Sequence, residues 1–376
     1  MAAAVGRYRF RAPAGVSFFS DDRAKYGEDP WRHLPESDLA HLHWVSRFVD
    51  YGTFFELIPK RIPIVWTLHG MDAFTGGCHY DQGCNRFAQG CGRCPQLGSK
   101  SSTDLTQRVW QRKWDSFQKL RPEGLHIVTP SRWLGEQAGQ SSLLSGFPRS
   151  VIPYGLDTEI FAPRDRRVSR GMLGIPLESR VLLFLAQSVR DHRKGFHHLT
   201  HALEALESRS EMFLLSLGSG APPRLAGFAG IHMEHMGNDW LLSHVYSAAD
   251  ILVVPSLQDN LPNTVLESVS CGTPVVGFAV GGIPDVVRPG LTGLLAAPGD
   301  TDDLRRAIIG LLKNEEGRKE MAIHCRKIAT QEYALEIQAR RYLDLYQEVL
   351  GRWRDDWVPE KAAWVTGKTK TAELQA

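Results

Sequence analysis

Apolar positions in this chain cluster into short, nearly unbroken runs separated by polar segments that carry glycine or proline. Val181–Ala186, Met212–Gly218, Ile251–Pro255 and Val275–Phe278 lack polar alternation, the pattern of strands covered on both faces. Between such runs apolar residues recur at helical spacing, as at Leu199, Leu203 and Leu206. The repeated strand–helix rhythm predicts a parallel, doubly wound α/β sheet. In the first half, Leu39–Trp44, Pro63–Leu68 and His126–Thr129 are shorter strand candidates, each followed by a polar loop. A segment with two prolines and a glycine, Val151 to Pro163, marks a boundary. The pattern therefore divides into a first domain over 1–152, a linker over 153–168 and a second domain over 169–335. A last helix over 336–357 has Tyr342, Leu345, Tyr346 and Val349 on one face, and a polar tail over 358–376 is expected to be loose.

A chain of 376 residues suits two such domains. Its 44 basic and 42 acidic residues nearly balance, which gives no basis for nucleic-acid binding. Residues 1–150 hold 19 Lys and Arg against 14 Asp and Glu, a mild excess that would suit peripheral contact with an anionic membrane or a lipid-phosphate acceptor. No apolar run approaches 18 residues and the N-terminus lacks a signal-peptide core, so the expected location is cytoplasmic.

The chemistry concentrates in Asp259-Asn260-Leu261-Pro262-Asn263-Thr264, a polar loop that enters a helix expected over Val265–Cys271 and stopped by Gly272. Glu267 follows Asp259 by eight positions. A helix N-terminus presents free N–H groups and partial positive charge to a phosphate. A loop carboxylate can hold sugar hydroxyls, and one on the helix can hold a ribose diol. The plain alternative is a solvated loop acid followed by a helix-capping Glu. A second cluster, Arg190-Asp191-His192-Arg193-Lys194-Gly195, follows the Val181–Ala186 strand; its plain alternative is a solvated basic loop.

The acidic-x7-Glu spacing, the following CGTPVV and the GGIPD turn resemble the donor-site signature of glycosyltransferase family 4, retaining enzymes of the GT-B fold. The resemblance spans about residues 37–350 and is densest over 181–300. It implies two Rossmann-like domains facing a cleft, with Asp259 at the donor sugar and Glu267 at the ribose. Lys194 and an arginine, Arg190 in preference to Arg193, would face the diphosphate. Asp259 is one methylene shorter than the family's usual Glu. His69, in Thr67-Leu68-His69-Gly70, would face the transferred sugar across the cleft; the usual acid after it is replaced by Gly70, with Asp72 two residues on. The opening residues lack a strand–Gly-rich turn–helix pattern, so the first domain is expected to miss its first βα unit.

The partners so implied are a nucleotide-sugar donor of UDP or GDP type and a saccharide or lipid-linked acceptor, with no cofactor needed for catalysis. The alternative is a truncated, catalytically silent partner protein that binds a nucleotide-sugar. Separately, Cys78, Cys84, Cys91 and Cys94 cluster in a Gly-rich insertion over 76–97. Four thiolates with one CxxC pair can hold a structural zinc; two disulfides or free thiols are the alternatives. A similar insertion occurs in a subgroup linked to exopolysaccharide and colanic-acid-like synthesis. Its position just after His69 suggests that it shapes the acceptor side.

Overall fold

The computed structural model describes residues 19–24, 31, 34–206, 210–220 and 227–355. Four strands form a first sheet: β1 (Ala40–Leu42), β2 (Ile64–Thr67), β3 (Leu125–Thr129) and β4 (Arg149–Val151), in that spatial order. Six form a second: β5 (Arg180–Ser188), β6 (Met212–Ser219), β7 (Ala229–Met233), β8 (Ile251–Val254), β9 (Val275–Phe278) and β10 (Gly293–Ala296), ordered β10-β9-β8-β5-β6-β7. Every pairing in both sheets is parallel.

The unbroken apolar runs have a direct physical cause. Val181, Leu183, Leu215, Leu252, Val254 and Val275 point into one buried cluster, while their neighbours Leu182, Leu214, Val253 and Val276 point into another. Successive residues of a strand face opposite sides, and helices cover both, so every position must be apolar. The strands missed by the sequence pattern, β4, β7 and β10, are short and lie at or next to sheet edges; β4 and β7 are largely exposed or half-buried and carry no such run.

The last helix, Leu335–Asp355, returns to the first domain. Its Tyr342, Leu345 and Val349 pack on Val65, Val128 and Ile152. The chain thus crosses between domains twice, and Leu156 pairs with Ala334 where the crossings meet. The expectation of a missing first βα unit falls largely on residues 1–18, and the tail 358–376 likewise lies outside the described residues.

In the second sheet β5 lies between β6 and β8, so the chain leaves β5 toward one edge and β8 toward the other. The loops at the carboxyl ends of these two strands therefore diverge and open a crevice, the usual ligand seat of such sheets. Lys194 lies on one loop and Asp259 on the other.

Candidate active site

Lys194 ends a short 3-10 turn, His192–Lys194, whose next residue, Gly195, has φ +69°. A Cβ there would stand 1.8 Å from the carbonyl oxygen of Pro255, so only glycine lets the two loops approach. Gly281, of the GGIPD turn, has the same role behind the acid: a Cβ would fall 1.6 Å from the Asp259 carbonyl oxygen. The carboxylate of Asp259 is held between them, 5% exposed. Its Oδ2 receives Lys194 Nζ at 2.6 Å, Arg193 Nη1 at 3.3 Å and Ser256 Oγ at 3.3 Å. Burial alone would raise this carboxyl, but Lys194 and Arg193 more than offset it and hold the group below its usual range.

The helix bearing Glu267 runs Asn263–Ser270, two residues earlier than expected at its start, with Pro262 at its N-cap. Proline has no N–H to lose and its fixed φ suits the helix entrance. Gly272, with φ +73°, follows the end. Tyr246 donates to Glu267 Oε2 at 2.6 Å. Burial raises the Glu267 carboxyl despite this bond.

Across the cleft, His69 follows β2. One ring nitrogen, Nε2, lies 3.1 Å from His43 Nδ1, and the other, Nδ1, lies 2.7 Å from the Tyr154 hydroxyl. The Tyr154 ring stacks on His69 at 10°. Burial, then the neighbouring His43, pushes the imidazole down to about 4, so it is neutral near pH 7. With both ring nitrogens engaged, His69 offers the cleft its ring rather than a free hydrogen-bonding atom in this arrangement. His41 extends the network to the last helix, with Nε2 2.8 Å from Thr67 Oγ1 and Nδ1 2.6 Å from the Tyr346 hydroxyl.

A cavity of about 570 Å³ gathers His69, Lys194, Asp259, Leu261, Pro262, Asn263 and Thr264 with Tyr154, Gly155 and Gln338. The other expected site residues, Glu267 among them, do not line it. Arg193 lies behind Asp259, donating to the Gln258 carbonyl at 2.9 Å, and its Nε is buried without a partner. Arg190 is exposed and its side chain lies against Gly220, away from the acid. Asn260 is buried as a bridge between domains: its Oδ1 accepts from Ser131 Oγ at 2.6 Å and its Nδ2 donates to the His69 carbonyl at 3.2 Å. Ser131 also caps the helix Arg132–Gln140, while Arg132 pairs with Asp285 across the domains at 2.8 Å. Asp72 is turned toward His79 of the insertion, 3.9 Å away, rather than into the cavity.

Tyr154, Gly155 and Gln338 escaped sequence reasoning. Tyr154 lies in the crossover segment that marked the boundary, but no spacing there points to a site; Gln338 comes from a helix distant in sequence.

The four insertion cysteines are unpaired and line one small void of about 10 Å³. The Gly76 N–H donates to Cys91 Sγ at 3.0 Å. Burial pushes all four thiols up, Cys91 to about 12. Among the described residues no group of three or more His, Cys, Asp or Glu side chains is arranged to hold a metal ion. The disulfide alternative is not formed, and the thiols are free in this arrangement.

Residues 179–314 match the family model described as Glycosyl transferases group 1. The D-inositol 3-phosphate glycosyltransferase of Mycolicibacterium paratuberculosis is 33% identical over 294 residues, covering 73% of this chain and 59% of that protein. The MMP alpha-(1->4)-mannosyltransferase of Mycolicibacterium hassiacum is 25% identical over 255 residues, covering 64% and 59%. The chain thus spans about three fifths of the length of these two curated relatives. Among solved structures, the sucrose-phosphate synthase of Thermosynechococcus elongatus aligns with TM-score 0.65 at 20% identity, covering 86% of this chain and 76% of that one. Anabaena HepE in complex with UDP-glucose aligns with TM-score 0.55 at 15% identity, covering 83% and 79%. These likenesses, with the two facing parallel sheets, give the chain the GT-B fold, and its residues 179–314 carry the sequence of the glycosyl transferases group 1 family.

Proposed function

We propose that this protein is a retaining glycosyltransferase that moves a sugar from a nucleotide-sugar donor, of UDP or GDP type, to a saccharide or lipid-linked saccharide acceptor. The observation that carries the reading is the interdomain cavity, with Lys194, Asp259 and the Asn263–Ser270 helix entrance on one wall and His69 and Tyr154 on the other. Lys194 and the helix N-terminus suit a diphosphate, whose charge grows as the glycosidic bond breaks. Asp259 suits the sugar hydroxyls and Glu267 the ribose diol, while His69 and Tyr154 shape the sugar side.

In this reading the leaving phosphate takes the acceptor proton on the face it departs from, so the sugar keeps its configuration and no separate base is assigned. Closure of the cleft over donor and acceptor would exclude water, which favours transfer over hydrolysis. A role in cell-surface polysaccharide synthesis at the cytoplasmic face of the membrane fits the insertion's resemblance. The names of the curated relatives, for inositol phosphate and mannosyl transfer, bring other glycan acceptors into the same screen. No helix among the described residues is long and apolar enough to cross a membrane; the membrane contact proposed here is a peripheral one. A structural zinc on the four insertion cysteines is a separate proposal, requiring their side chains to turn onto one point.

The test is thermal unfolding with saturating UDP, GDP and ADP. A ligand at 100 times its Kd stabilises by about 2.7 kcal/mol, a midpoint shift of roughly 5–10 °C for domains of this size. One nucleotide is expected to give that shift and Glu267→Ala to abolish it. Absence of a shift with all three, from a protein that melts cooperatively, would overturn the donor site. Nucleotide binding without turnover of any sugar donor would favour the silent partner instead.

A further inference from the structure

The Cys-rich insertion was expected to shape the acceptor side, yet it reaches the carboxylate loop of the other domain. Three consecutive residues, Tyr80, Asp81 and Gln82, lie against three others, Gln258, Asp259 and Asn260. The Gln82 N–H donates to Gln258 Oε1 at 3.1 Å, and Gln258 Nε2 donates to Asp81 Oδ1 at 2.8 Å. The Tyr80 hydroxyl donates to Asp259 Oδ1 at 3.3 Å and accepts the Asn260 N–H at 3.3 Å. The guanidinium of Arg193 sits over the Tyr80 ring, 4.3 Å from its centroid.

We propose that Tyr80 is a positioning residue for the donor site: its hydroxyl fixes the orientation of Asp259 and its ring seats Arg193, so that a loop of the first domain outside the cavity aims a carboxylate of the second. This rests on the nucleotide-sugar reading above. Tyr80 does not line the cavity, so it acts through Asp259 rather than on the sugar.

The two oxygens of Asp259 have different partners. Oδ2 carries Lys194, Arg193 and Ser256, while Oδ1 carries Tyr80 and the Asn260 N–H. A diphosphate that draws Lys194 away opens the shortest of the three contacts on Oδ2 to a sugar hydroxyl, and Tyr80 with Asn260 then keeps the carboxylate aimed. The 3.3 Å contact is long for an O–H···O bond, so its effect lies in direction more than in strength. Tyr80 is itself braced from behind: Gln96 Nε2 donates to its carbonyl at 2.7 Å, and its ring stacks near Trp133 at 17°. Gln96 follows Cys94 by two residues and Tyr80 follows Cys78 by two, so the cysteine-bearing turns support the phenol.

The experiment compares Tyr80→Phe with wild type by calorimetric titration of four probes: UDP, GDP, UDP-glucose and GDP-mannose. Phenylalanine keeps the ring under Arg193 and loses only the hydroxyl. The affinity for the nucleoside diphosphate is expected within about twofold of wild type. The ratio of sugar-nucleotide to nucleoside-diphosphate affinity should fall about five- to tenfold, the scale of one ordinary hydrogen bond and less than a short bond to a charged group, as the long contact implies. In an Asp259→Ala background, which leaves the phenol nothing to aim, the same change should have no further effect on that ratio, which a merely structural role would not predict. Melting curves establish that each variant is folded. If wild type discriminates and Tyr80→Phe leaves the ratio unchanged, or lowers it equally in the Asp259→Ala background, the positioning role is overturned while the donor site stands. If wild type binds none of the four probes, the nucleotide-sugar reading fails and the positioning role with it.

Discussion

Lys194 and Asp259, 65 positions apart in the chain, meet as an ion pair of 2.6 Å on the wall of the interdomain cavity. One was expected to serve the diphosphate and the other the sugar; in the structure they are each other's partner. Lys194 keeps the Asp259 carboxylate charged where burial would otherwise disfavour it, and the pair sets the charge that a nucleotide-sugar would have to displace in the proposed reading.

Lys194→Ala removes that partner. Transfer should slow by about 100- to 1000-fold, the usual loss when one fixed charge or donor facing a developing anion is deleted. Initial-rate measurements at saturating donor check this. A variant with undiminished rate would take Lys194 out of the transition state.

Gly195→Ala and Gly174→Ala form a matched pair. Both glycines have positive φ, +69° and +65°, but a Cβ at 174 meets nothing within 4 Å, whereas one at 195 meets Pro255 O at 1.8 Å. Gly174→Ala should cost about 1–2 kcal/mol from backbone conformation alone. Gly195→Ala should cost distinctly more and also weaken nucleotide binding, since the loop must move. Urea unfolding of both variants, with nucleotide titration, measures the difference.

Acid should loosen the fold through its buried imidazoles. Burial, as the main cause, depresses His41, His69 and His126 to about 4, from an ordinary 6.5. The unfolded chain then binds more protons than the folded one between these values. Stability from the neutral imidazoles is full above about pH 6.5 and declines as pH falls toward 4. Urea midpoints at intervals from pH 7.5 to 4 should fall along that window, and His69→Gln should flatten the decline.

Tyr154→Phe deletes the hydroxyl 2.7 Å from His69 Nδ1. The ring stack remains, so the expected outcome is unchanged nucleotide affinity with transfer slowed about tenfold, because His69 loses the bond that orients it. Equal losses in binding and rate would place Tyr154 in nucleotide recognition instead.

The insertion cysteines give a compositional test. Elemental analysis finding one zinc per chain, lost when Cys91→Ser and Cys94→Ser are combined, would show that the side chains gather on a metal. Metal-free protein in which all four loop thiols can be titrated once it is unfolded would leave the loop ordered by its own turns and by Arg86, whose guanidinium donates to the carbonyls of Gly92 and Arg93.

What the sequence by itself determined were the elements with a local signature. Unbroken apolar runs marked β5, β6, β8 and β9, because a strand covered on both faces admits little else at any position. The acid, the helix entrance and Lys-Gly in the second domain were legible for a similar reason: their backbone turns need proline and glycine at fixed places, as Gly195 against Pro255 shows. Edge strands β4 and β7 were silent because solvent on one side relaxes that demand. Which arginine lies beside Asp259 was also beyond the sequence, since three positions along a loop separate Arg193, at 3.3 Å, from Arg190 against Gly220. Only the tertiary structure decided which residues complete the site. Tyr80, Tyr154, Gln338 and the His43–His69 pair meet through domain closure and a returning helix. Such contacts between distant segments depend on where whole layers pack, and they leave no period or spacing in the chain.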